Sequence, residues 1–174
     1  LLNQMLRNSF IIALVLFGNL VHAVPVSVRS LQISKSASMI QLDGILDEPS
    51  WQLADMAGNF QQRYPADTSQ AFSKTEVRLT YDDDFLYIGA ICYDDLEGDY
   101  IVESLRRDYE AQGNDALDII IDPHNDLING FLFGITPFGV QRESLIINGG
   151  GDHHDENASW DNKWFSEVTR HDDH

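Results

Sequence analysis

Residues 75–93 read TEVRLTYDDDFLYIGAICY, and this stretch decides the fold. Its first seven residues alternate: Val77, Leu79 and Tyr81 share one face, Glu76, Arg78 and Thr80 the other. That period of two belongs to a half-buried strand. Asp82, Asp83 and Asp84 form a turn. The run from Phe85 to Tyr93 then carries almost no polar side chain and reads as a central strand covered on both faces. Two strands joined by a three-residue acidic loop predict a β-hairpin.

Working outward, the same punctuation recurs. MIQLDG (39–44) alternates and then meets Asp43-Gly44, a strong turn signal. EPSWQLADM (48–56) predicts one or two helical turns opening at Glu48-Pro49, with Asp47 as the cap and Trp51 dropping its ring onto the sheet. YIVESLRRDY (100–109) fits either helix or strand. NDALDIIID (114–122) predicts a strand that starts and ends on acids. GFLFGIT (130–136) predicts another, stopped by Pro137, and GVQRESLII (139–147) a third that runs into Gly149-Gly150-Gly151. KWFSEV (163–168) opens a last strand. Many short strands joined by Asp, Asn, Gly and Pro turns predict an all-β chain. The expected form is an antiparallel β-sandwich, jelly-roll-like, with one or two short helices. A doubly wound α/β fold needs helical crossovers for which the spacing leaves little room.

The chain carries 28 Asp plus Glu against 11 Lys plus Arg, a formal charge of −17. Such a surface repels nucleic acid and anionic membrane faces and suits neutral ligands, cations or a basic partner. Arg7 precedes the apolar run FIIALVLFGNLVHA, which ends in Val21-His22-Ala23, the pattern of a secretory signal cleaved after Ala23. The expected layout is a signal at 1–23, a linker at 24–36 and the sandwich at 37–174, in an exported protein: periplasmic, outer-membrane-associated or extracellular. The mature domain is expected not to insert into a membrane. The single cysteine, Cys92, cannot form an internal disulfide and reads as a small buried apolar residue. Leu1 at the start, and a last strand barely begun at Trp164, predict one domain of a longer protein.

The acids invite two readings. Asp43, Asp47 and Glu48 either turn and cap the chain or supply oxygens to a cation. Asp118 and Asp122 share a strand face by the period of two, and Asp126 follows across Pro123-His124-Asn125. They either hold Ca2+ or close a turn through Asx-type hydrogen bonds. The triplet 82–84 and the pair Asp94-Asp95 carry the same choice. His153 and His154 stand between Asp152 and Asp155, but adjacent ligands on extended chain point apart, so a zinc site is disfavoured. Arg107-Asp108 is either an ion pair or a ligand contact. No Ser-His-Asp elbow, Walker loop, Rossmann fingerprint or HExxH is present. With acids in such excess a facing pair means nothing, so a domain without catalysis of its own is expected.

In order along the chain, IQLDGILDEPSW, TEVRLTYDDDFLYIGAICYDD, SLRRD, DALDIIIDPHND, FLFGITPFGVQRES and WDNKW resemble the family 9 carbohydrate-binding modules. They look closest to modules at the N-terminus of large exported bacterial envelope proteins. The similarity runs from about Ile40 to Trp164. The resemblance implies a β-sandwich that binds glucan- or xylan-like polysaccharide, braced by structural calcium. It also implies association with glycoside hydrolases, or a C-terminal domain that follows. Trp160, preceded by Asn157, looks like one aromatic platform with its neighbouring amide. The family's second clamping tryptophan has no match; Tyr64 and Tyr109 are the aromatic residues left for that place. A pyranose needs convergent polar groups beside a ring. Trp160, Asn157, Asp161 and Arg107 supply them if loops gather the four. The rival expectation is a structural or interaction domain of an envelope protein, with Trp160 and Trp164 packed inward.

Overall fold

The computed structural model describes residues 29–63, 69–94, 98–150 and 155–171. The signal at 1–23, residues 24–28 of the linker, and Tyr64, Asp95, Asp152, His153, His154 and His174 lie outside them. From Leu31 onward the chain clusters as one compact unit.

The fold is all-β, with eight strands in two sheets and one five-residue helix among the described residues. In the first sheet β3 (Thr75–Tyr81) pairs antiparallel with β4 (Leu86–Cys92) over seven residues, the hairpin expected from the alternation. The other edge of β3 is shared. β1 (Ser34–Lys35) lies parallel to its last two residues, and β2 (Met56–Ala57) lies antiparallel to Val77 and Arg78. β1 falls inside the stretch read as linker, so the sheet begins before residue 37. The hairpin tip is built by Asp82. Its Oδ1 accepts the amides of Asp84 and Phe85, both at 2.8 Å, and Oδ2 accepts the Tyr87 hydroxyl at 2.7 Å.

The helix α1 (Pro49–Leu53) opens at proline, whose missing N–H costs nothing there. Asp47 does not cap it. Glu48 holds the N-cap position, and its Oε1 reaches back to the Gln41 amide at 2.7 Å. Trp51, 4% exposed, lies over the first sheet at Gly89. A Cβ at Gly89 would fall 2.8 Å from Leu46 Cδ2 and 3.2 Å from Trp51 Cζ3, so the glycine admits the indole. Residues 39–44 form no strand: Gly44 takes φ +79° and turns the chain there.

The second sheet is a meander of β5 (Leu117–Ile121), β6 (Gly130–Ile135), β7 (Gln141–Ile146) and β8 (Glu156–Asn157), in that order. β8 was not expected; it places two residues of a presumed loop on the sheet edge. One face carries Leu132, Ser144, Ile146 and Thr136, all buried. On the same face Arg142 crosses the β6 strand at Gly134 to reach Asp118 at 3.0 Å, with Tyr109 under its guanidinium. The opposite face carries Phe131, Phe133 and Glu143.

Residues 163–168 form no ladder, although their burial alternates as a strand's would. This extended segment ties the sheets together. Trp164 and Ser166 bond to β7 side chains, Phe165 packs its edge on Phe85, and Thr169 donates to the Asp43 carbonyl at 3.1 Å. Among the described residues no helix is long and apolar enough to cross a membrane. Cys92 is exposed rather than buried.

Candidate ligand groove

β7 positions the site. Gln141 and Glu143 alternate onto the face that bears the β6 aromatics, opposite Ile135 and Phe133. Between β6 and β7 the chain turns on Thr136, whose Oγ1 accepts the amides of Phe138 at 3.3 Å and Val140 at 3.1 Å. Gly139 completes that turn at φ +75°, and Phe138 is left 48% exposed at its tip.

The loop 100–115 supplies Arg107. Its base is closed by the Asp115 amide on the Ile101 carbonyl at 2.7 Å and the Ile101 amide on Asp115 Oδ2 at 2.8 Å. Asp108 takes φ +59°, and its amide bonds the Gln141 carbonyl at 3.0 Å, which seats the loop on β7. Arg107 then reaches over the strand. Nη1 donates to Gln141 Oε1 at 2.8 Å, and Nη2 donates to Glu143 and, at 3.2 Å, to the Asn162 carbonyl. Asp161 Oδ1 stands 3.5 Å from Nη2.

Glu143 is the buried anchor of this cluster, 2% exposed. Burial alone would raise its pKa, but hydrogen bonds from Arg107 and from the Trp164 indole, at 3.1 Å, outweigh it and hold the carboxyl below its ordinary value. The Glu143 hydrogen bond in turn raises the Arg107 pKa, so the guanidinium stays charged.

Two shallow open depressions meet at Arg107. One, about 450 Å3, is lined by Arg107, Asp161, Asn162, Lys163 and Trp164. The other, about 530 Å3, is lined by Leu105, Arg107, Phe138, Gly139, Val140 and Gln141. Joined at Arg107, they make a candidate groove whose linings hold an indole in one part, a phenyl ring in the other, and amide, guanidinium and carboxylate groups. Each volume lies in the range of small-molecule sites.

Of the four residues expected to meet a sugar, Arg107 and Asp161 line this groove. Trp160 does not. Its ring stacks on Phe131 at 5.0 Å and 31° and meets Phe133 at 5.9 Å, because β6 offers those two rings on one face. Asn157 serves the turn after β8, accepting the Ser159 amide at 3.0 Å. Tyr109 is buried on the other face, with its pKa pushed up to about 12 chiefly by desolvation. The groove residues that sequence reasoning missed are Trp164, Gln141, Asn162, Lys163 and Phe138. The alternation Gln141-x-Glu143 within a strand was the available signal: two polar side chains on one strand face need partners or a ligand.

Asp118, Asp122 and Asp126 do not come together as an oxygen cage. Asp118 is paired with Arg142. Asp122 accepts the amides of His124 at 3.0 Å and Leu127 at 2.8 Å. Asp126 accepts those of Ile128 and Asn129, both at 2.8 Å, and the Asn129 side-chain amide at 3.0 Å. These bonds, the Leu127 and Asn129 amides foremost, hold both carboxyls below their usual pKa. No group of three His, Cys, Asp or Glu side chains among the described residues is disposed to hold a metal ion.

Comparison with protein-family models, with curated proteins and with solved structures finds no significant match to this chain.

Proposed function

We propose that this chain is a saccharide-binding module, without catalysis of its own, that docks a polysaccharide along the groove between Trp164 and Phe138. The observation that carries the reading is the groove's composition. A sugar ring presents an apolar face to an aromatic side chain and hydroxyls to polar groups. Trp164 and Phe138 offer the rings; Arg107, Gln141, Asp161 and Asn162 offer the donors and acceptors. The order of motifs that resembles family 9 carbohydrate-binding modules supports the same class, as does the apolar run after Arg7 read as a secretory signal. Such a module would serve glycan breakdown by holding a partner hydrolase, or the protein it belongs to, at its substrate.

The decisive test is Trp164→Phe and Trp164→Ala on a glycan array and in affinity electrophoresis. Trp164→Ala is expected to abolish retention, and Trp164→Phe to weaken it about ten-fold. Retention unchanged in Trp164→Ala, with the far-UV signal intact, would overturn the reading.

A second reading rests on Trp160. Its ring is stacked on Phe131 and Phe133, which suits a structural or interaction domain of an envelope protein. Under that reading the chain binds no glycan, and substitutions in the groove alter only association with a neighbouring domain.

A further inference from the structure

A formal charge of −17 repels acidic polymers from the chain as a whole, so an acidic ligand can be held only where cations gather locally, as they do at the groove. Arg107 and Lys163 line it, and the Arg170 guanidinium lies 4.7 Å over the Phe138 ring. Two of only 11 Lys and Arg residues therefore line the groove and a third stands on its Phe138 ring, a concentration that needs a reason on so acidic a protein.

The Arg107 partners differ in kind. Gln141 and Glu143 hold the guanidinium from the strand side, and Glu143 is fully desolvated there. Asp161 approaches on the open side, at 3.5 Å, with its side chain 87% exposed. An exposed ion pair of that length contributes little, so exchanging it costs little. Asp161 thus marks where a carboxylate can sit on Arg107 without being held there. Lys163 lines the same depression, with its ammonium 5.2 Å over the Phe165 ring.

Resting on the saccharide-binding reading, we propose that the groove takes a polysaccharide whose sugars carry carboxylates, a uronate-containing chain. A ligand carboxylate displaces Asp161 from Arg107 and is also met by Lys163, while the sugar faces lie on Trp164 and Phe138. Charge-assisted hydrogen bonds from guanidinium to carboxylate are stronger than those to hydroxyls, which sets the preference over neutral glycans.

The test uses the full chain and three probes: polygalacturonate, the same polymer after reduction of its carboxyl groups, and a neutral β-glucan. Affinity for polygalacturonate is expected to exceed that for the reduced polymer by about ten-fold or more. Lys163→Gln should lower it about three-fold. Asp161→Asn should raise it by about the same factor. Both positions are exposed, so neither variant threatens the fold. Equal affinity for the acidic and reduced polymers overturns the uronate assignment and leaves the saccharide reading standing. Weaker binding by Asp161→Asn overturns the displacement. Binding to none of the three polymers, or to any other glycan on an array, removes both readings.

Discussion

Arg107 and Glu143 form an ion pair that straddles the surface: the Glu143 side chain is 1% exposed, while that of Arg107 keeps 42% of its area. The pair is therefore asymmetric. Removing Arg107 leaves a desolvated carboxylate with the Trp164 N–H as its remaining side-chain donor within the cluster. Breaking a buried pair from one side is costly, though water can reach the guanidinium end and lowers the figure. Arg107→Ala should lose about 2 kcal/mol, and Glu143→Gln in the same background should recover about half. Urea unfolding of the four proteins in the cycle measures the coupling; a value near zero would remove the pair from the structural account.

The same carboxyl sets an acid limit. Its pKa in the folded chain lies below the ordinary value of 4.5, so the pairing contributes fully above that value and is lost as pH falls through the folded pKa. Stability should decline on acidification below about pH 4.5. Glu143→Gln should be less stable at neutral pH and decline less steeply in acid. Parallel curves for the two proteins would show that another carboxyl governs the acid limb.

Most of the strands were legible in sequence from alternation, apolar runs and turn chemistry, although β4, read as a central strand, pairs only β3 among the described residues. What was not legible depends on distance along the chain. Residues 163–168 have a strand's alternation but find no ladder partner among the described residues; their side chains serve as ties between sheets. Nothing local distinguishes those outcomes. Asp47 is the better cap by composition, yet Glu48 holds the N-cap position without a side-chain cap bond and gives its Oε1 to the Gln41 amide instead. Of the residues named in sequence for a sugar, Arg107 and Asp161 line the candidate groove and Trp160 does not, while Trp164 does. Phe133 meets both indoles, Trp164 at 5.4 Å and Trp160 at 5.9 Å, and only the stack of Trp160 on Phe131 tells the two apart.

The turn after β5 separates calcium from hydrogen bonding. Its Asp122 and Asp126 oxygens accept main-chain amides, so the chain's own donors close the turn. Melting temperature should be the same in calcium and in chelator, while Asp126→Ala should lower it in both. A rise with calcium, which a ligand bound only to the folded state must produce, would restore the bracing role that the family resemblance implies.

Gly134 tests whether the Asp118–Arg142 pair governs the second sheet. The three residues lie in register across β5, β6 and β7, so the ion pair must pass directly over the glycine. A Cβ there would fall 2.2 Å from Asp118 Oδ1 and 2.7 Å from Arg142 Cγ. One methyl group therefore drives the partners apart, and Arg142, buried against Tyr109, would keep Glu156, at 3.5 Å, as its one counter-ion among the described residues. Gly134→Ala should cost about 2–3 kcal/mol through overpacking and the broken pair, a fall of roughly 6–10 °C in melting temperature. Asp118→Asn adds no atoms and should cost about half as much. If Gly134→Ala melts with the parent, the pair re-forms elsewhere, and the glycine is not what permits it.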